Sequence, residues 1–342
     1  MQEDGHTSAL SYAQLTPDAV LDALDSVGLR GDGRLLQLNS YENRVLQVHL
    51  EDGRIAVAKF YRPGRWSDEQ ILEEHGYALE LAAAEVPAVA PWPLELDAHA
   101  SMQPELLGGP PTLARLGALR WSVSPRCGGR APELEDEEVL AWVGRYIGRL
   151  HAVGKRRPFR HRVHWSGADP AQAAFDWLMA NDALPLDAAP AWSRMAEQAI
   201  AGVRERFAAV PGLRELRLHG DMHIGNLLWT PAGPHFVDLD DACIGPAVQD
   251  LWMLLPGERK VSGRAIGCLL EGYTSFCDFD ERELELIEAL RTVRLIHYSA
   301  WLSKRWGDPA FPAAFPWFGS SAYWAEQTTR LRDQIELMDS PL

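Results

Sequence analysis

Apolar and polar residues alternate along RVLQVHL (44–50) and again along RIAVAKFY (54–61), with the turn residues EDG (51–53) between them. Alternation of period two marks a half-buried strand, so the two runs predict a hairpin. Ser67, followed three residues later by Gln70, forms a capping-box pattern. It opens a predicted helix over roughly 68–84 that carries apolar Ile71, Leu72, Leu79 and Leu81 and acidic Glu73 and Glu74. The prolines of EVPAVAPWP end that helix. LRWSVS (119–124) reads as another strand, and the Pro/Gly stretch PRCGGR (125–130) suits a hinge. Beyond it the period becomes helical. EEVLAWVGRYIGRLHAVG (137–154) sets Val139, Val143, Ile147 and Leu150 on one face, and helical signals dominate 190–208 and 260–304.

This order of elements predicts an α+β chain of two lobes. A nucleotide-binding lobe over 1–122 holds a small antiparallel sheet and one helix, a hinge spans 123–130, and a larger, mainly helical lobe covers 131–342. The uncharged run PAFPAAFPWFGSSAYWA (309–325) contains three prolines and reads as a surface loop, not a membrane span.

Composition changes the picture in a few places. The 342 residues are 46% hydrophobic and 24% charged, an ordinary globular balance with room for two lobes. A formal net charge of -15 argues against nucleic-acid binding and against adhesion to anionic membrane, since both call for a basic footprint. One local exception is GKRRPFRHRVHW (154–165), read either as a solvated loop or as a docking surface for an acidic partner. The four cysteines are scattered without a CxxC pair, and MQEDGHTSAL shows neither a basic n-region nor an apolar h-region. The expectation is therefore a cytoplasmic, reduced protein without a signal peptide, and a monomer by default. The 13 tryptophans read mainly as packing.

The candidate chemistry lies in LHGDMHIGNLLWTPAGPHFVDLDDA (218–242). After Asn226 come an apolar run (227–229), a Pro/Gly turn (231–234) and a second apolar run ending at Asp238. Two short strands joined by that turn return Asp238 to the neighbourhood of Asn226. An amide and a carboxylate oxygen, with positions left for water and phosphate, suit Mg²⁺ bound together with a nucleotide. Asp221 can then accept the proton of a substrate hydroxyl, the division of labour used in phosphoryl transfer. Turn chemistry is the bland alternative for the same residues. Zinc at His219 and His223 lacks an HExxH or a Cys partner. A DxD reading of DLDD (238–241) needs a parallel sheet that nothing in the chain predicts. A kinase also needs a cation for the α- and β-phosphates. Lys59, amid apolar residues on a strand, supplies one, with Glu74 or Glu73 as its partner. No GxGxxG precedes it; Ser40, Tyr41 and Asn43 stand where glycines would be, leaving backbone N–H groups and the Ser40 hydroxyl to hold a phosphate.

The stretches LNSYENRV, KFYRP, ILEEH, LHGDMHIGN, FVDLDDA and GPAVQDLWMLL together resemble the bacterial stress response kinase A family, within the wider aminoglycoside phosphotransferase and choline kinase-like fold. The resemblance runs from about residue 10 to about 318. It implies a cytoplasmic serine/threonine protein kinase of bilobal, kinase-like fold that uses ATP and Mg²⁺. It makes Asp221 the proton acceptor, Asn226 and Asp238 the Mg²⁺ ligands, and places Ser40 at the ATP site and Lys59 on the phosphates. It is silent on Glu73 against Glu74; the relation to the VPAVAP segment favours Glu74. Asp250 is expected to anchor the catalytic loop through backbone N–H groups. The one apparent departure is a longer hairpin turn at Thr230–Ala232.

Two rivals stand beside that reading. A small-molecule kinase of the aminoglycoside, choline or homoserine type shares the chemistry, and Trp301, Trp306, Trp317 and Trp324 offer a candidate cage for a quaternary amine. A nucleotide-binding pseudokinase is disfavoured because Asp221, Asn226 and Asp238 are all present. Only 11 residues lie between Asp238 and Asp250, too few for a long activation loop, so activity is expected without phosphorylation there.

Overall fold

In a computed structural model the described residues are Tyr12, 15–257 and 262–340. The expectation about the chain start and the first two residues of the 260–304 helical stretch lie outside them. The strands in chain order are β1 (Gly31–Gln37), β2 (Arg44–Leu50), β3 (Ile55–Phe60), β4 (Glu105–Leu107), β5 (Leu113–Leu116), β6 (Leu119–Pro125), β7 (Glu215–Leu218), β8 (Leu227–Thr230), β9 (Gly233–Phe236) and β10 (Cys243–Pro246). The helices are α1 (Pro17–Asp25), α2 (Asp68–Ala83), α3 (Glu137–Gly154), α4 (Asp169–Ala180), α5 (Ala189–Ala208), α6 (Gln249–Trp252), α7 (Gly263–Tyr273), α8 (Ile287–Lys304), α9 (Ala310–Ala314) and α10 (Ser321–Asp339). The fold is α+β. The chain divides into two compact units, one formed by residues up to Pro132 with Phe159–Arg162 and Gly225–Asp240, the other by Glu133–Pro158, Val163–Ile224 and the chain from Asp241.

The first unit is built on an antiparallel sheet of order β1-β2-β3-β6-β5-β4. Period-two burial follows the sequence: Ala56, Ala58 and Phe60 of β3 enter the core with Val48, Leu50, Trp121 and Val123, leaving Lys59 on the opposite face. Strand β3 pairs with β2 on one side and β6 on the other, so Lys59 is not an edge residue. Helix α2 starts where the sequence predicts. Both capping-box bonds form, Gln70 N–H to Ser67 Oγ at 3.3 Å and Ser67 N–H to Gln70 Oε1 at 2.9 Å. Its buried face carries Ile71, Glu74, His75, Ala78 and Leu81, which puts one acid among apolar neighbours. The β8–β9 hairpin joins this unit through Phe236, whose N–H donates to Pro87 and whose carbonyl accepts from Val89.

In the second unit α3 and α7 cross with their backbones in contact. A Cβ at Gly144 would stand 2.0 Å from the Leu269 carbonyl oxygen, and one at Gly272 2.0 Å from that of Ala141. Only glycine permits this approach. Helices α4, α5, α8 and α10 enclose a core that includes Trp192, Ile200, Val293 and Trp324. The two-stranded pair β7–β10 completes the unit, and buried Arg217 on β7 donates to the Val153 and Gly154 carbonyls at the end of α3.

The stretch 309–325 is not a surface loop. Phe311 and Trp324 are fully buried, and helices α9 and α10 occupy most of the segment. The prolines misled the reading because Pro309 precedes α9 and Pro316 falls between the helices. The tryptophans considered as a cage are engaged in packing: Trp324 meets Trp192 edge-on at 5.2 Å, and Trp301 lies against Phe311 and Phe315. Among the described residues no helix is long and apolar enough to cross a membrane.

Candidate active site

In the first unit the alternation of β3 turns Lys59 away from the core, and two acids from the hairpin end meet it. Its Nζ lies 3.2 Å from Asp238 Oδ1 and 2.9 Å from Asp240 Oδ1. Burial works against the ammonium, but Asp240, Asp238 and Glu74 outweigh it and hold the lysine well above its usual range. The hairpin delivers Asp238 as its strands require: the Val237 N–H donates to the Asn226 carbonyl at 3.1 Å, so Asn226 and Asp238 share one end of β8–β9. Thr230 pairs directly with Gly233, which leaves a two-residue turn and corrects the expected longer one. Asp238 has φ 59°, a left-handed conformation that Asp tolerates better than most residues.

Asp240, which drew no metal-site role from its sequence context, is a heavily engaged carboxylate of this unit. It is buried, pairs with Arg65, accepts from Asn43 Nδ2 at 3.1 Å, and its carbonyl accepts from Arg162. Burial opposes its charge, yet Lys59, Arg65 and Arg162 hold the carboxyl far below the usual range. Asn43 also accepts from the Arg62 N–H at 3.0 Å, and Arg62 donates to the carbonyls of Tyr41 and Glu42. These bonds shape the loop in which Ser40 Oγ accepts from the Asn43 N–H at 3.3 Å.

The two candidate glutamates of α2 do different work. Glu73 accepts the backbone N–H groups of Arg160, His161 and Arg162 at 2.6–3.0 Å. Glu74 is buried near Lys59, with Oε2 lacking a hydrogen bond, and Lys59's ion-pair partners are Asp238 and Asp240. Burial pushes the Glu74 carboxyl up to about 7 against the pull of Lys59 and Arg162. The basic stretch after α3 is not wholly solvated: Arg162 is buried, with its guanidinium 4.1 Å from the Trp66 ring centre.

In the second unit the stretch around Asp221 is held from behind. Asp250 Oδ2 accepts from the His219 N–H at 2.7 Å and Oδ1 from the Gly220 N–H at 2.9 Å. Gly220 has φ 86°, and a Cβ there would lie 2.1 Å from the Asp241 carbonyl oxygen. His151 Nε2 touches Asp250 Oδ2 at 3.0 Å, while its Nδ1 meets the Tyr273 hydroxyl at 2.9 Å. Asp221 faces Arg294 Nη1 at 2.8 Å and His223 Nε2 at 3.3 Å. Burial raises its proton affinity, but the His223 hydrogen bond and Arg294 prevail and keep the carboxyl ionised, well below the usual range. Neither Arg294, 73 residues away in the chain, nor the His151–Tyr273 pair leaves a spacing signal in the sequence. Asp240 does, as the second acid of DLDD.

Among the described residues no group of three or more His, Cys, Asp or Glu stands close enough to hold a metal by itself. The oxygens of Asn226 and Asp238 nevertheless suit Mg²⁺, which takes one or two protein carboxylates and completes its shell with water and substrate phosphates. Asp238 is the exposed acid of the pair flanking Lys59, with 53% of its side chain accessible against 4% for Asp240.

The model of the phosphotransferase enzyme family (APH) matches residues 34–287. The chain belongs to this family. Within it, the chain is 41% identical over 338 residues to stress response kinase A of Salmonella choleraesuis (strain SC-B67), covering 98% of this chain and 97% of that protein. It is 42% identical over 341 residues to stress response kinase A of Escherichia coli (strain K12), with the same coverage. A third relative, serine/threonine protein kinase RdoA of Salmonella typhimurium, is 41% identical over 338 residues and again covers 98% and 97%. Among solved structures, amicoumacin kinase in complex with AMP-PNP and Ca²⁺ matches with TM-score 0.69 at 19% identity, over 96% of this chain and 95% of that one. A microcompartment-associated aminopropanol kinase matches with TM-score 0.64 at 16% identity, over 94% and 98%. These two likenesses are of fold. They agree with an antiparallel sheet in one unit and a mainly helical second unit.

Proposed function

We propose that this phosphotransferase is a cytoplasmic serine/threonine protein kinase of a bacterial stress response, moving the γ-phosphate of ATP to a Ser or Thr hydroxyl with Mg²⁺. The observation that carries the reading is a pair of aspartates, each with its own cationic partner: Asp221 beside Arg294 and Asp238 beside Lys59. The relatives of near-full-length coverage, named as stress response and serine/threonine protein kinases, support the protein acceptor.

In this reading Lys59 binds the α- and β-phosphates and gives up part of its hold on Asp238 as nucleotide enters. Asn226 and Asp238 would hold Mg²⁺, which when bound neutralises phosphate charge and orients the γ-phosphate. The Ser40 loop, shaped by Asn43 and Arg62, covers the phosphates. Asp221 accepts a hydrogen bond from the acceptor hydroxyl, aligns its oxygen with the phosphorus, and takes the proton as the new P–O bond forms and the bond from the γ-phosphorus to the bridging oxygen breaks, releasing ADP. A carboxylate of low proton affinity suits this order, because in a loose transition state the proton leaves late and orientation matters more than basicity. Asp250 and His151 act by positioning: they fix the backbone from which Asp221 projects.

The test is incubation of the purified protein with Mg²⁺, γ-labelled ATP and a general protein substrate, beside Asp221→Ala. Label on serine or threonine that vanishes in the variant is the expected result. ATP binding with label only on small hydroxyl compounds would replace the protein acceptor with a small-molecule one.

A further inference from the structure

A cavity of about 730 Å³ opens in the second unit, with three arginines in its lining. Arg291 and Arg294 of α8 and Arg330 of α10 line it, with Asp333 as the acid of the lining and Trp252 and Tyr298 as aromatic surface. The chain as a whole carries a net charge of -15. Each of the three arginines has a carboxylate partner, Glu288, Asp221 and Glu326, so what the recess offers an incoming anion is spare guanidinium N–H donors in a protein otherwise rich in acids.

One residue of the lining contacts the proposed base. Arg294, one of its lining residues, is the residue whose Nη1 lies 2.8 Å from Asp221 Oδ1. Arg291 is braced by buried Glu288 at 3.1 Å and lies over the Trp252 ring, so its guanidinium is held in place. Arg330 is the outermost of the three, with 56% of its side chain exposed and an i,i+4 pairing to Glu326, a type of contact that adds little and exchanges readily. Each guanidinium has five N–H donors in a planar fork, so one carboxylate partner leaves donors for another. The volume falls within the range of small-ligand pockets and admits a few residues of an extended peptide, not a folded domain.

We infer that this cavity is the acceptor subsite and that it selects a serine or threonine flanked by acidic residues, the flanking carboxylates pairing with Arg330 and Arg291 while the hydroxyl reaches Asp221. The inference rests on the protein-kinase reading above and adds to it a substrate class. It also sets the chain apart from kinases of cationic small molecules, for which an arginine-lined acceptor site is repulsive.

The experiment compares two serine peptides of equal length, one flanked by Asp and Glu and the other by Lys, as acceptors for the full-length protein with Mg²⁺ and γ-labelled ATP. The acidic peptide should be favoured at least about tenfold in kcat/KM, with a KM that rises with salt. Arg330→Glu should erase most of that preference, about three- to tenfold and mainly through KM, and Arg330→Lys should restore part of it. Because Arg330 is exposed, a thermal melt of each variant confirms that the fold is kept. Equal use of both peptides, or preference for the basic one, overturns the inference while leaving the kinase reading intact, since a general protein substrate is still labelled. Absence of label on every peptide and protein overturns both.

Discussion

Lys59 and Asp238, 179 residues apart in sequence, meet at 3.2 Å. One comes from an interior strand and the other from the end of a hairpin. On the function proposed above, the cation for the phosphates and the carboxylate for the metal would neutralise each other until nucleotide and metal divide them.

This relationship separates the roles of the two aspartates by experiment. Asp221→Ala should lower kcat by about 10²–10⁴-fold with little change in nucleotide affinity, because in the proposed mechanism Asp221 acts on the acceptor. Asp238→Ala should weaken Mg²⁺-ATP binding on the order of 10–100-fold. Titration of each variant with a fluorescent nucleotide, beside turnover, checks both; equal loss of nucleotide in the two variants would defeat the assignment.

Asp240 should matter more to the fold than its neighbour does. Its removal leaves Lys59 and Arg65 short of a buried counter-charge and Asn43 short of an acceptor. Asp240→Ala is expected to cost about 3–5 kcal/mol in denaturant unfolding, against a small change for exposed Asp238→Ala. Similar midpoints for the two variants would contradict this.

Glu74 provides a pH-dependent readout. Its folded value of about 7 lies above the ordinary 4.5, so between those values the folded state binds the extra proton and its stability falls as pH rises. Above pH 7 the cost is complete; below 4.5 it is absent. Glu74→Gln should therefore gain up to about 3 kcal/mol over the parent at pH 8 and nothing near pH 4.5. Taking the difference between variant and parent cancels Glu283, whose buried carboxyl is also pushed up to about 7, and buried neutral His75, held down at about 3. A gain that stays constant with pH would assign the effect to packing.

The segment after Asp240 gives no room for an activating phosphate. Residues 243–246 form β10, pair with β7 and are buried. Treatment with a phosphatase should leave turnover unchanged; loss of activity that returns on rephosphorylation of this segment would overturn the expectation.

How much of this was legible in the sequence depended on whether a contact is local. The β2–β3 hairpin, the Ser67 cap and helix α2 follow from neighbours a few residues apart, and all three form near the predicted positions. So does the hairpin from Asn226 to Asp238. Helix α10 escaped notice because its buried stripe mixes Gln327 and Gln334 with Trp324, Leu331 and Met338, which blurs the apolar period. Within the candidate site, Lys59, Asp221, Asn226 and Asp238 stood out by residue type and spacing. Asp240 and the groups that hold the acids did not: Arg294 lies 73 residues from Asp221, and Arg65 and Asn43 lie 175 and 197 residues from Asp240. Nothing in a linear pattern joins residues so far apart.

The touching backbones of α3 and α7 reach further than their own packing. Gly148 follows Gly144 by one turn, and a Cβ there would stand 2.5 Å from the Tyr273 carbonyl oxygen. Tyr273 holds His151, His151 holds Asp250, and Asp250 holds the backbone beside Asp221. A single methyl group at Gly148 is therefore a wedge with a long lever arm: Gly148→Ala should slow turnover although it meets no reactant. On the proposed mechanism, the placement of the base would be inherited from a residue with no side chain, through a relay of parts that never enter the chemistry.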